Sequence, residues 1–593
     1  MLPQSSIRFL RRGVLIRPRC TLRRLSDRVP SHIQRPEREE INDGPVQAEF
    51  REGFEQVTSF YGRFIKYSAL SFISLVSLVY IGWEGCHQWV ERVELASPPS
   101  PFDDPYQWSE ELDVWTDVSG GTDAKLGYRG RHAVRAAWMA LNWTGEPNLN
   151  VVESSVATGE TSGNAFDKQL YSALGHLSTA LAVAHHNAGK LGSETVERDP
   201  TVINLLALSA AVLDRIASPS ALATAKPMLK QAHNFHLSQG HTNAVARLSV
   251  KLGDVCARLG ENDEAIEWWS GALSSLGVED IRLDSSSGLF RPSKPSPPSP
   301  AQQRIIASAL VSLSGHYAST RQFSEAHEVE KAGLALIAHH LLPSLSSSDN
   351  MWSPDAILHQ LFLYNRATIL LMHLAEVTFA QEQSSYSSSP LPSPVPSWWN
   401  ILWRSKQHRQ SYVQEEADTS VEMCALRSSA LSAEQICDTL TNPPDPAVAP
   451  PALQTIGVTL MRGMHRSPAP APIPVGAVSG TSSPSTSSQP RKPLHPSFAK
   501  SRTLSKPSTM LFRQSKRIAA QSLQLRGILF EKRGQGAEAM EEYERALVWV
   551  GGGPDGRTGT DAIESEWKAI WERYVKVRER VLKKSGEVEA TRR

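Results

Sequence analysis

The sequence predicts an all-α protein: a solenoid of helical hairpins, interrupted by low-complexity inserts and preceded by a single transmembrane helix. Three observations predict it. One long uncharged apolar run, Tyr67 to Trp83, stands apart from the rest of the chain. Beyond Trp108, alanine and leucine recur at three- and four-residue steps, the period of helices with one buried face, and long alternating strand patterns are missing. One template of small, aromatic and glycine positions recurs in three separate segments, the mark of a repeat architecture.

The amino end sets the expected location. Residues 1–26 hold seven arginines (Arg8, Arg11, Arg12, Arg17, Arg19, Arg23, Arg24), no lysine and no acid, interleaved with apolar residues such as Phe9, Leu10 and Leu15. That composition suits a mitochondrial presequence; a basic arm for nucleic acid or lipid is the alternative. The run 67–83 spans about 25 Å as a helix, the short end of what crosses a ~30 Å hydrocarbon layer. Arg63 and Lys66 flank one end, and Tyr80 and Trp83 suit the other interface. Basic residues dominate before the run and glutamates after it. Residues 27–66 therefore read as a matrix-side segment, 84–107 as a juxtamembrane linker, and 108–593 as a domain in the intermembrane space, the anchor being in the inner membrane. Ser71, Ser74 and Ser77 offer small polar groups for a neighbouring membrane helix.

Composition narrows the function. The formal net charge is +1 over 593 residues, which gives no electrostatic case for nucleic acid. The five cysteines form no CxxC, so neither a disulfide nor a zinc framework is expected, although Cys424 and Cys437 remain a conceivable pair. No GxxxxGK[ST], HExxH or GxSxG motif occurs. His233, His236 and His241 are the nearest approach to a metal set and lack a carboxylate on their face. The expectation is a protein that is not an enzyme and holds neither metal nor cofactor.

The three matching segments carry the packing argument. In the first, Leu252 and Gly253 precede a turn at Gly260, and Ala265, Trp269 and Ala272 follow on the second helix. Leu313, Ser314, Tyr317, Ala326 and Gly333 fall at the same offsets in the second, with Glu330 where an aromatic is expected. Gly527, Phe530, Gly534, Ala539, Tyr543 and Ala546 complete the third. Two antiparallel helices pack closely when small residues stand at their crossing, and large side chains such as Trp269 and Tyr543 fill the gap to the next unit. The pattern resembles the tetratricopeptide repeat, a helix–turn–helix unit of about 34 residues. The stretches 167–189, 201–216, 220–237 and 354–381 look like degenerate partners, and Asp561 with Glu564 suggests a capping box on a final helix. Ser- and Pro-rich inserts are expected near 287–300, 384–397 and 465–507, and a cluster from Trp398 to Trp403 reads as a docked helix or a membrane contact.

Resemblance to tetratricopeptide proteins implies that the first helices line a groove for a partner protein. The matching positions are Arg247, Val250, Asp254 and Arg258 in the first segment, and Gln521, Gln524, Ile528 and Glu531 in the third. Val250 and Asp254 stand where chaperone-binding members carry a carboxylate clamp of Lys and Asn, so chaperone tails are not expected. Presequence, single anchor and repeats together resemble the fungal adaptor subunit of the mitochondrial inner-membrane i-AAA protease. That family implies AAA protease subunits and unfolded client proteins as partners, with delivery for proteolysis in quality control. A respiratory-complex assembly factor and an outer-membrane import receptor are the alternatives.

Overall fold

Apolar periodicity alone accounts for most of the architecture, which is all-α. The computed structural model describes residues 45–96, 104–111, 115, 120–143, 164–190, 199–278, 298–344, 353–388, 420–443, 494–551 and 564–592. The presequence, Asp561 and the cluster from Trp398 to Trp403 lie outside them. The chain forms two compact units, Met1–Trp83 and Glu84–Arg593.

The first unit contributes one element, helix α1 (Pro45–Trp89), whose final turn belongs to the second. At 1.5 Å per residue it is about 67 Å long. It is long and apolar enough to cross a membrane, and none of its apolar window is buried.

The second unit is a chain of helices, most of them packed on the next in sequence. They are α2 (Gly127–Asn142), α3 (Asn164–Lys190), α4 (Pro200–Ile216), α5 (Pro219–Ser238), α6 (Thr242–Leu259), α7 (Asn262–Ser275), α8 (Pro300–Ser319), α9 (Phe323–Ser344), α10 (Pro354–Ser388), α11 (Val421–Thr441), the short α12 (Pro496–Ala499), α13 (Ser505–Lys532), α14 (Gly536–Val550) and α15 (Glu564–Arg592). Local chemistry starts several of them. Asp199 and Ser218 cap α4 and α5 with Pro at the first helical position. Ser299 and Gln302 form a reciprocal capping box on α8. From α6 onward the order is layered. Helix α6 meets α8, α8 meets α10 and α10 meets α13, while α7, α9, α11 and α14 pack as their partners.

The three matched segments become the hairpins α6–α7, α8–α9 and α13–α14, and one crossing recurs in each. A Cβ on Gly253 would lie 2.5 Å from the Trp269 indole, and one on Gly527 would lie 2.6 Å from the Tyr543 ring. The equivalent pair in the middle hairpin is polar: Ser314 Oγ donates to Glu330 Oε1 at 2.9 Å, sixteen residues along the chain. Leu252, Ala265, Trp269, Ala272, Leu313, Ala326, Phe530, Ala539, Tyr543 and Ala546 are all buried, and Tyr317 is half-buried. The turns match too. Gly260 and Gly534 adopt φ of +81° and +79°, and at the same slot Arg321 is held at φ +62°, a region that costs a side-chain-bearing residue about 1 kcal/mol.

Residues expected in a linker are instead part of the second unit. Glu91, in a π-turn (Val90–Glu94) after α1, accepts from Thr122 N at 2.9 Å and pairs with Arg131 and Arg135 of α2. Residues 104–111 form a clasp. Asp104 caps a short 3-10 turn, and Trp108 is fully buried, donating from Nε1 to the Asp355 carbonyl at 3.1 Å. Arg304 of α8, 1% exposed, lies 4.0 Å over the Trp108 ring, pairs with Glu111 and donates to the Tyr106 and Gln107 carbonyls. Arg502 donates to the Glu94 and Ala96 carbonyls.

Two boundaries differ from expectation. Helix α10 continues to Ser388, into the insert expected at 384–397. The insert expected to end at 507 gives way earlier, because Phe498 and Leu504 are buried against α13 and its neighbours. Cys424 and Cys437 both lie on α11, thirteen residues apart, so about 20 Å of helix separates them and rules out a disulfide within the chain.

Relieving the strain at Arg321 is expected to raise stability. Arg321→Gly should gain, and Gly260→Ala should lose, about 1 kcal/mol in urea unfolding of the second unit. Gly527→Ala, which drives a methyl into Tyr543, should lose about 1–3 kcal/mol.

Candidate functional site

The inner helices α6, α8 and α10 bring polar side chains onto a shared face. Asp254 of α6 is half-buried, accepts from Trp269 Nε1 at 3.1 Å and from Ser312 of α8, and feels the positive charges of Arg366 on α10 and Lys251. Loss of hydration is the larger influence and lifts its carboxyl to about 6. Two residues further along α8, Ser314 stands between two groups. Its hydroxyl donates to Glu330 of α9 and lies 3.4 Å from His373 Nδ1 of α10. Gly315 beside it leaves room for the His373 ring, whose Cε1 would be 3.4 Å from a Cβ there.

Glu330 has no solvent exposure, and its Oε2 has no hydrogen-bond partner. Burial raises its carboxyl to about 8; the Ser314 bond works against this and nearby Glu376 adds to it. The group is therefore a neutral acid at pH 7. Burial lowers His373 to about 4, so the imidazole is neutral as well. Loss of hydration also pushes Glu376 up, to about 7, although part of its side chain reaches solvent. At neutral pH a serine hydroxyl therefore stands between an uncharged acid, Glu330, and an uncharged imidazole, His373. Among the described residues, an enclosed space between the same helices, lined by Ile306, Leu336 and Leu363, is only water-sized. The arrangement suits a packed crossing better than a small-molecule site.

A second cluster joins α5 to α7. Cys256 Sγ and carboxylate oxygens of Glu261 and Glu264 lie within 4.8 Å of one another. Lys226 Nζ bridges the two carboxylates at 2.5 and 2.6 Å, and Lys230 reaches Glu264 at 2.7 Å. Hydrogen bonds from Lys226, Lys230 and Trp268 hold Glu264 near 2, while burial keeps Cys256 a thiol, near 11. The lysine charge already neutralises the acids, so the group acts as an interhelical clamp. His233 packs edge-on against Trp268 with ring centroids 5.1 Å apart, and His236 and His241 meet each other at 3.2 Å.

The predicted groove residues divide. On α6, Arg247 and Asp254 are half-buried on the inner side, Val250 is buried in the core between α6, α7 and α8, and Arg258 pairs with Asp214 of α4. On α13, Gln521 and Gln524 are half-buried, whereas Ile528 packs into the core. Glu531 accepts from Tyr543 Oη at 3.3 Å and from Arg580 of α15 at 2.5 Å, so the final helix ties down that end. Val250 and Ile528 therefore belong to packing. Ser314 entered the sequence reading only as a repeat-template position, and His373 and Glu376 not at all; the misfit of Glu330 at an aromatic slot was the signal that pointed to them.

No known protein family, curated protein or solved structure matches the chain.

The raised Glu330 fixes the sign of a pH dependence. The folded state keeps a proton that the unfolded chain, at the ordinary value of 4.5, has lost, so stability falls as pH rises from about 4.5 to 8. His373 acts oppositely, losing stability as pH falls from 6.5 to about 4. Between pH 7 and 8 the Glu330 contribution dominates. Urea unfolding should show stability dropping by about 1 kcal/mol across that interval, and Glu330→Gln should flatten the slope.

Proposed function

We propose that the chain is a membrane-anchored tetratricopeptide-type scaffold whose inner helices hold a segment of another protein, and that it works as an adaptor at the mitochondrial inner membrane, delivering clients to an i-AAA protease. One observation carries the scaffold reading: the same crossing, at the same spacing, in α6–α7, α8–α9 and α13–α14. A repeated crossing stacks hairpins side by side, and a stack of inner helices presents an extended surface fit for a peptide or a partner helix. Arg247, Asp254, Gln521, Gln524 and Glu376 supply polar groups on helices of that layer. The exposed apolar stretch of α1 supports the anchor. The compartment and the protease rest on the arginine-rich leader and on the resemblance in architecture to the adaptor family.

Proteins crosslinked to the full-length chain in intact mitochondria should include AAA protease subunits. Deleting residues 108–593 should leave the chain in the membrane and lengthen the half-lives of crosslinked clients several-fold. Unchanged half-lives, with respiratory subunits in place of protease subunits, would favour an assembly factor.

A further inference from the structure

Helix α1 carries an apolar stripe, unpartnered among the described residues, before its membrane-length run begins. Phe50, Phe54, Val57, Tyr61 and Phe64 recur at alternating four- and three-residue steps. Each is between 51% and 79% exposed. Arg51, Glu52, Glu55, Gln56, Ser59, Arg63 and Lys66 are the charged and larger polar residues off the stripe, where Phe60 and Ile65 are exposed as well. An average step of 3.5 residues is the repeat of a left-handed coiled coil, in which the seam stays aligned with a partner helix.

Lipid does not cover the leader-side end of this stripe. The helix is unbroken from Pro45 to Trp89, so its leader-side part continues along the axis of the apolar run. Phe50 precedes Arg63 by thirteen residues, placing it about 20 Å beyond the charges that mark the bilayer edge. In water, a lone helix with such a stripe lacks the packing that stabilises helices.

We infer that a second copy of this chain covers the stripe, forming a parallel, in-register pair of α1 helices from Phe50 to Leu78. Identical anchors inserted in the same direction meet in parallel with the same residues at the same depth. The seam then stacks Phe50 on Phe50, Val57 on Val57 and Tyr61 on Tyr61. Charge permits this self-match. Arg51, beside Phe50, pairs with Glu55 of its own helix, and within 53–81 the positions flanking the seam, including Gly53, Thr58, Phe60, Ile65, Tyr67 and Phe72, carry no charge, so the flanks set no row of like charges against each other. The area is sufficient as well. Five large side chains per helix, each covering roughly 100 Å², give about 1,000 Å² for the pair, the threshold of a specific interface.

The same register continues into the apolar run. Its next two seam positions are Ser68 and Ser71, followed by Leu75 and Leu78. A shallow groove lies along Phe64, Tyr67, Ser68, Ser71 and Leu75, where the seam side chains are small. Small residues let two helices approach, and the serine hydroxyls can bond across the seam in apolar surroundings. The inference concerns self-assembly and stands apart from the choice of client or protease. It adds one functional consequence: two scaffolds on one anchor pair engage two segments of the same client and gain avidity.

Full-length protein carrying Cys20→Ser, Cys86→Ser and Cys424→Ser, so that its remaining native thiols, Cys256 and Cys437, are buried, tests the pairing after extraction in mild detergent. Single cysteines at Val57 or Tyr61 should oxidise to a species of twice the chain mass, at least ten-fold more than Ser59→Cys on the outer face. Phe54→Glu with Tyr61→Glu should halve the mass seen by light scattering while leaving the thermal unfolding of the second unit unchanged. Equal crosslinking at Ser59, a crosslinked partner of another mass, or a single-chain mass for the unsubstituted protein would overturn the proposal. None of these readouts depends on client delivery.

Discussion

The second unit depends on how closely two helices can approach at a crossing. At Gly253 and Gly527 the missing side chain admits the flat face of Trp269 or Tyr543 to within van der Waals distance of the backbone. The aromatic then does two things at once. Its face seals the crossing inside one hairpin, and its polar edge is tethered, Trp269 to Asp254 and Tyr543 to Glu531. Alanines at 265, 272, 539 and 546, all without exposure, keep the rest of the second helix slim. Close packing of this kind makes most of its gain from many weak contacts, so its geometry tolerates little change in volume.

The middle hairpin solves the same problem differently and pays in ionisation. Ser314 and Glu330 fill the slot with a hydrogen bond in place of a ring. A buried carboxyl with only one of its oxygens satisfied keeps its proton, because charge in that setting is costlier than neutrality. His373, also driven neutral, completes a polar junction among α8, α9 and α10. The neighbouring seam of α10, α11 and α13 follows a similar logic, with Asn365 donating to Ser515 at 2.9 Å and Ser429 meeting Ser522 at 2.8 Å. Polar pairs of this type restrict which helices fit together, since an unmatched partner would leave a buried group without its bond.

Helix identity was legible in the sequence because it is written locally. The stretches 167–189, 201–216, 220–237 and 354–381 all become helices, and the small–aromatic template located three hairpins. The apolar run likewise announced α1, although not that the helix would extend back to Pro45. What was illegible depends on partners distant in the chain. Val250 and Ile528 occupy groove offsets, but the side chains that bury them come from other helices. Residues 104–111 have no periodicity to betray their docking, and Phe498 sits in a Ser- and Pro-rich setting that masks a core residue. Cys424 and Cys437 seemed free to meet until one helix was seen to hold both.

The clasp changes how such an array comes apart. Stacked hairpins ordinarily touch only their neighbours, so they fray from either end and can assemble one unit at a time. Here Arg304 reaches Glu111 across 193 residues, and Trp108 reaches Asp355 across 247. Those bonds close a circuit around α2 to α8, at an entropic cost met only once α8 and α10 exist. During synthesis, the early helices must therefore wait for later ones before their edge is sealed. In the finished protein, the stretch just after α1 cannot peel away without disturbing the centre of the stack.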